Sequence, residues 1–211
     1  MRAVLGRSAL KEAVFFMCCL PMAYSAYQIY QLQVGQTHGL GADPGKALVL
    51  LQGDWAIRCL LLALAVSPLK MLTGWHRLND VRRMLGLFAF FYASTHLLAY
   101  LLFLQPDLRN IGEEVMNRPY ITLGLAAYMF LIPLALTSNN RSIRVLKHKW
   151  ARLHRVVYGV AILTVFHVLC GARASYYTAF IYGFIVAILL FSRFFEVKIK
   201  RAQQRAKASK K

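Results

Sequence analysis

Six apolar runs, each about long enough to cross a bilayer, constrain this chain more than any other feature. They lie near Ala13–Leu32, Trp55–Leu72, Met84–Leu104, Tyr120–Thr137, Leu153–Ala172 and Tyr176–Phe195. A hydrocarbon core of roughly 30 Å needs about 20 helical residues at about 1.5 Å each. Together the runs take up more than half of the 211 residues. With 58% hydrophobic and only 16% charged residues, the composition lies outside the range of ordinary soluble domains. Lipid offers no partner to backbone amides, so an open spanning structure must be helical. The expected architecture is one all-α integral membrane domain, a six-transmembrane-helix bundle over 1–195, followed by a basic tail at 196–211. No segment remains for a soluble domain.

Charge sets the expected orientation. If the N-terminus is cytoplasmic, 21 of the 26 Lys and Arg fall in inside segments, including Lys70–Arg83, Arg141–Arg155 and the tail. Lys46, Arg58, Arg109, Arg118 and Arg173 make up the remainder. Positive residues accumulate on the cytoplasmic side, so both termini are expected there. The same distribution accounts for a net charge of +18 through anionic lipid headgroups, with no need for nucleic acid. The first run could be taken for a cleaved signal peptide, with Arg2, Arg7 and Lys11 as its basic start. Its only small-residue site, Tyr24-Ser25-Ala26, is poor, and the run continues through Ile29, Tyr30 and Leu32, so a retained helix is expected.

All four cysteines, Cys18, Cys19, Cys59 and Cys170, fall in apolar runs and form no C-x-x-C or C-x-x-C-H. That excludes the usual zinc, thioredoxin-like and covalent-haem motifs and leaves buried structural thiols.

Three histidines, His38, His76 and His148, fall between runs, whereas His96, His154 and His167 fall within them. An imidazole in hydrocarbon is costly unless something satisfies it, so an intramembrane histidine points to function. The third and fifth runs are parallel in this topology. His96 lies 13 residues beyond Arg83 and His167 lies 15 beyond Arg152, which puts the two at similar depth in the outer half of the membrane. Two imidazoles at one depth can ligate one iron from opposite sides. Haem suits such a site, because the porphyrin is apolar and two axial histidines leave a closed, electron-passing iron. His154 falls near the cytoplasmic surface, roughly 20 Å from His167 along an ideal helix. Thirteen residues also leave those two imidazoles some 140° apart, so the helix is locally over- or underwound or two sites approach it from different sides. The plainer alternative makes the three histidines packing residues or a proton path.

Haem propionates need cations. Arg82, Arg83, Arg152 and Arg155 cluster at the inner edge beside His154, and Arg118 and Arg173 lie at the outer edge. Arginine pairs with carboxylates through two hydrogen bonds. The inner four serve equally as topology determinants. Arg58, near Asp54 on the second run, either snorkels outward or faces a propionate or a quinone.

Gly39–Gly45 (GLGADPG) fails as a dinucleotide fingerprint: Pro44 occupies the sixth position and no strand precedes it. It reads as a tight external loop. Glu113 and Glu114 read as solvated residues of an external loop, and no constellation suggests hydrolysis. The tail is too short for a flavin or NADPH domain, so electrons are expected from a lipid-soluble carrier or a separate protein. The competing function is a transporter or channel using intramembrane His and Arg.

Several stretches carry a resemblance. They are GLGADP at Gly39–Pro44, RRMLG at Arg82–Gly86, THLLAY around His96, RPYITLG at Arg118–Gly124 and ALTS at Ala135–Ser138. W-x-x-L-H at Trp150–His154, followed by His167, completes them. Spread in order along nearly the whole chain, they resemble the ferric-reductase-like transmembrane superfamily. Within it, they are similar to the family of haem-binding subunits (MsrQ/YedZ) of the protein-methionine-sulfoxide reductase system. The resemblance implies a multi-pass protein of the bacterial inner membrane holding haem b, one or two, with His96, His154 and His167 as iron ligands. It implies electrons drawn from the quinone pool or a cytosolic flavin reductase and passed to a periplasmic molybdopterin methionine sulfoxide reductase. That enzyme repairs oxidised periplasmic proteins. FMN enters by resemblance only, with no recognisable site. The two-haem members of the superfamily carry a further histidine 13 or 14 residues before the one matching His96. Here Arg83 and Arg82 stand at those positions, leaving His154 without a histidine partner.

Overall fold

The computed structural model describes residues 2–105, 109, 111–172 and 176–208. Among them every regular element is helical. α1 runs Arg2–Gln33, α2 Pro44–Thr73 and α3 Asn79–Ala99, the last entered by a 3₁₀ turn at His76–Leu78 and prolonged by a π turn at Tyr100–Leu104. α4 (Ile111–Asn117) and α5 (Pro119–Leu136) follow. Two short helices, α6 (Asn140–Leu146) and α7 (His148–Leu153), lead through a 3₁₀ turn at His154–Val156 into α8 (Val157–Gly171), and α9 (Tyr177–Ala208) ends the chain. Six stretches are long and apolar enough to span a bilayer, and each overlaps one of the six runs. This is a multi-pass membrane protein.

Several boundaries differ from expectation. The second span starts at Pro44, not at Trp55. Asp43 caps it by accepting from the Lys46 amide at 3.0 Å, and Pro44, which has no amide to leave unpaired, takes the first turn. Gly39–Gly45 is therefore a loop only as far as Asp43. The helix ends at Gly74, whose φ of 67° allows its amide to return to the Lys70 carbonyl at 2.9 Å. Glu113 and Glu114 lie in the first turn of α4, where carboxylates favour the helix dipole, and not in a loop. His148 opens α7 and His76 opens a 3₁₀ turn. α9 runs unbroken through 195 to Ala208, so the edge of the tail is a change of composition only.

Two hairpins form the bundle. α2 packs on α3, and α5 packs on α8; α1 lies against α3, and α9 against α8 and α2. Ile57, Cys59, Leu60, Leu64, Leu85, Ala89, Tyr92, Val160 and Ala161 fill the interior, and rings such as Phe16, Phe180 and Phe184 face outward. Among lipid tails, apolar burial contributes little net driving force, so close packing and interhelical hydrogen bonds hold the helices together. Three such bonds join α1, α2 and α3. Tyr92, fully buried, donates to the Cys18 carbonyl at 2.5 Å. Gln52 donates to Ser25 at 2.8 Å and accepts from Thr95 at 3.1 Å. Each is worth roughly 0.6 to 2 kcal/mol in a membrane. The hairpins meet where Phe90 stacks on Tyr128 at 5.7 Å and Ser94 reaches the Tyr128 hydroxyl at 3.0 Å.

Candidate functional site

His96, near the C-terminus of α3, and His167, near that of α8, face each other across the two hairpins. Their ring centroids are 6.0 Å apart and their planes nearly perpendicular, at 88°. The equal depth expected from their spacing is thus realised as direct opposition. A metal–imidazole nitrogen bond is about 2 Å, and a ring nitrogen lies about 1 Å from its ring centre. Two imidazoles sharing one metal from opposite sides therefore hold their centroids roughly 6 Å apart.

Each ring is held by the neighbouring helix of its own hairpin. His96 Nδ1 lies 2.8 Å from the Val49 carbonyl on α2, and His167 Nδ1 lies 2.6 Å from the Tyr120 carbonyl on α5. A carbonyl only accepts, so both Nδ1 atoms carry the proton and donate it. That leaves the lone pair on Nε2, the tautomer a metal ligand needs. Both carbonyls sit inside helices and already receive an amide from one turn on, that of Gly53 or Gly124; the imidazole takes the second lone pair. The same two glycines touch the rings. A Cβ at Gly53 would stand 2.9 Å from His96 Nδ1, and one at Gly124 would stand 2.7 Å from His167 Nδ1. Each histidine follows its carbonyl by 47 residues. Each also follows its glycine by 43, from Gly53 to His96 and from Gly124 to His167. Sequence reasoning missed Val49, Gly53, Tyr120 and Gly124, although the twice-repeated Gly-to-His spacing was there to be found.

Among the described residues, no three His, Cys, Asp or Glu side chains gather as a metal cage. A metal between His96 and His167 would need its other ligands from a cofactor. A planar macrocycle supplying four in-plane nitrogens fits this donor set.

His154 is not part of this pair. It lies in the 3₁₀ turn at the start of α8, half-buried, with Nε2 3.0 Å from the Thr137 hydroxyl and its ring stacked on Trp150 at 4.0 Å. The tighter 3₁₀ winding turns the chain further per residue than an α-helix and brings the directions of His154 and His167 closer by some tens of degrees. The helix is locally overwound at His154–Val156.

The arginines divide by end. Arg82 donates to Ser67 at 3.2 Å and Arg83 to Asn140 at 2.7 Å, while Arg152 and Arg155 are exposed; all four stand at the same end as His154. At the opposite end Arg118 pairs with Glu114 at 2.8 Å and donates to the Tyr120 hydroxyl at 3.3 Å. Tyr120 thereby links Arg118 to His167. Arg58 pairs with Asp54 at 3.3 Å and lies over the Trp55 ring, one turn beyond Gly53. Arg173 lies outside the described residues.

Comparison with known proteins supplies the family. Residues 52–165 match the family model of the ferric reductase like transmembrane component, a span that includes His96 and His154 and stops just short of His167. The chain is 43% identical over 183 residues to the protein-methionine-sulfoxide reductase heme-binding subunit MsrQ of Xanthomonas euvesicatoria pv. vesicatoria (strain 85-10), covering 86% of this chain and 84% of that protein. It is 44% identical over 186 residues to the MsrQ of Azospira oryzae, covering 87% and 77%. With that of Xanthomonas oryzae pv. oryzae (strain MAFF 311018) it shares 41% over 181 residues, covering 85% and 83%. A bundle of six spanning helices, two opposed intramembrane histidines and this degree of likeness lead to one conclusion: the chain belongs to the MsrQ family of ferric-reductase-like transmembrane proteins.

Proposed function

We propose that this protein is the haem-carrying membrane subunit of a methionine sulfoxide reductase system, with one haem b held between His96 and His167. The observation that carries this reading is the opposition of the two imidazoles at 6.0 Å, with both Nδ1 atoms donating to backbone carbonyls. Such a haem, when bound, accepts and releases single electrons at an iron with no open coordination position. The residues do the rest. His96 and His167 would hold the iron as neutral ligands, with the Val49 and Tyr120 carbonyls keeping their protons on Nδ1. Arg118 and Arg58 are the cations we assign to the propionates.

The names of the relatives support a soluble methionine sulfoxide reductase as the electron acceptor. We read it as periplasmic and molybdopterin-containing, which puts the His96–His167 pair in the outer half of the bacterial inner membrane. The 21 basic residues assigned to the inside support cytoplasmic termini. The quinone pool is the preferred donor. A cytosolic flavin reductase is the second, and it would dock on the basic segments Lys70–Arg83 and Arg141–Arg155. FMN is assigned no residue in this chain. A further haem ligated by His154 requires Nε2 to exchange the Thr137 hydroxyl for iron.

The decisive experiment is spectroscopic. Protein expressed with ample haem supply should show a Soret band of a six-coordinate b-type haem, and its absence would favour the transporter reading. The haem should then be reduced separately by a quinol and by a flavin reductase with NADPH, each at low and high salt. Reduction by a docked flavoprotein should weaken steeply with salt, whereas reduction by quinol should barely respond. A reporter fused within Ile111–Asn117 should be active only outside the cytoplasm.

A further inference from the structure

We infer that Gly53 and Gly124, each acting with the carbonyl one turn before it, are positioning residues. They fix the rotation and the tautomer of the two imidazoles, and thereby the midpoint potential of the iron between them. The inference rests on the haem reading above and extends it to residues that touch no iron.

A helical glycine in a membrane protein ordinarily lets two backbones approach. These two do more. At Gly53 a Cβ would stand 2.9 Å from His96 Nδ1 and 3.0 Å from Cε1; at Gly124 it would stand 2.7 and 2.8 Å from the same atoms of His167. The atoms in the way belong to the imidazole and not to the facing backbone. Nor can the ring swing aside freely, because the same Nδ1 is bonded to Val49 or Tyr120 at 2.8 or 2.6 Å. An added methyl must push Nδ1 off its carbonyl or turn the ring about its own axis. The carbonyl bond polarises the Nδ1 proton and makes Nε2 a stronger donor, which favours ferric iron. Loosening the bond should therefore raise the potential while leaving both ligands present.

Gly86 on α3 and Gly159 on α8 supply internal controls. They lie on the helices that carry the histidines, and a Cβ at either would meet nothing within 4 Å.

The test compares Gly53→Ala, Gly124→Ala, Gly86→Ala and Gly159→Ala in full-length protein expressed with excess haem. The first two should shift the Soret maximum, raise the midpoint potential and weaken haem retention about ten- to a hundred-fold, the usual effect of losing an outer ligand contact. The last two should leave the His96–His167 signal unchanged. Potentials unaltered in Gly53→Ala and Gly124→Ala, in a protein whose haem still depends on His96 and His167, would overturn the inference and leave the haem reading intact. If His96→Ala and His167→Ala retain all their haem, the haem reading itself fails.

Should the alanine variants lose haem outright, thermal unfolding still decides. Gly53→Ala should lower the melting temperature in the wild-type and His167→Ala backgrounds and have little effect in His96→Ala, where the ring it meets is gone. An equal cost in all three backgrounds would make Gly53 a plain packing glycine and sink the proposal.

Discussion

The two ends of α8 treat their histidines differently. At one end His167, like its counterpart His96, is gripped by backbone: a helical carbonyl takes Nδ1 and a glycine leaves room for the ring. At the other end His154 is held by side chains, with the Thr137 hydroxyl on Nε2 and Trp150 along its face. Backbone inside a helix has no rotamers, so it fixes an imidazole rigidly and always in one tautomer. A hydroxyl rotates and can donate or accept, so it fixes neither. The nitrogen left free is also opposite. The His96–His167 pair has Nε2 available; His154 has Nε2 occupied. One end leaves Nε2 free beside a backbone-fixed ring, and the other engages Nε2 with a side chain that can turn.

Four measurements would break or sharpen this contrast. The largest effect belongs to His96→Ala and His167→Ala, each of which should strip most of the haem, since losing one axial ligand leaves its partner without an opposing bond. His154→Ala should keep the His96–His167 spectrum; if all three variants behaved alike, the distinction between the ends would be lost. Thr137→Val comes next. It frees His154 Nε2, so any added six-coordinate signal should appear there and not in the main band, read by difference spectra against wild type. Gln52→Leu is smaller. It cuts the link to Ser25 and Thr95 and should lower stability by roughly 1 kcal/mol in thermal unfolding without moving the Soret maximum. Arg118→Gln should do least. It removes an exposed partner of Glu114 and Tyr120 and one cation assigned to a propionate, so the potential should fall only slightly in a redox titration.

Hydropathy made the six spans legible because lipid imposes length and composition together. It was a poor guide to where α2 begins. Lys46, Gln52 and Asp54 depress the average there, although Asp43-Pro44 already spelled a capped helix start. The pairing of His96 with His167 was readable because helical rise converts residue number into depth. The partners of those histidines were not, since a carbonyl belongs to every residue and leaves no mark in the sequence. Only their glycines betray them. The π turn after His96 had no visible signal at all: YLLFL, Tyr100–Leu104, is an ordinary apolar segment whose Gln105 amide reaches back to Tyr100. His154 was correctly expected away from the pair, but its attachment to Thr137 and Trp150 depended on how α6 and α7 fold the connector, which periodicity does not reveal.

The repeated spacing has one more implication. The first hairpin joins long helices by a brief turn; the second has shorter helices and a connector containing two small ones. Both nevertheless deliver carbonyl, glycine and histidine in the same register. Each hairpin is thus a complete half-socket, and the whole socket is two copies of one instruction read from opposite sides. A designer could write that instruction once, as a single helical hairpin that pairs with itself about a twofold axis. What the natural chain adds by writing it twice is the freedom to let the two halves differ everywhere else.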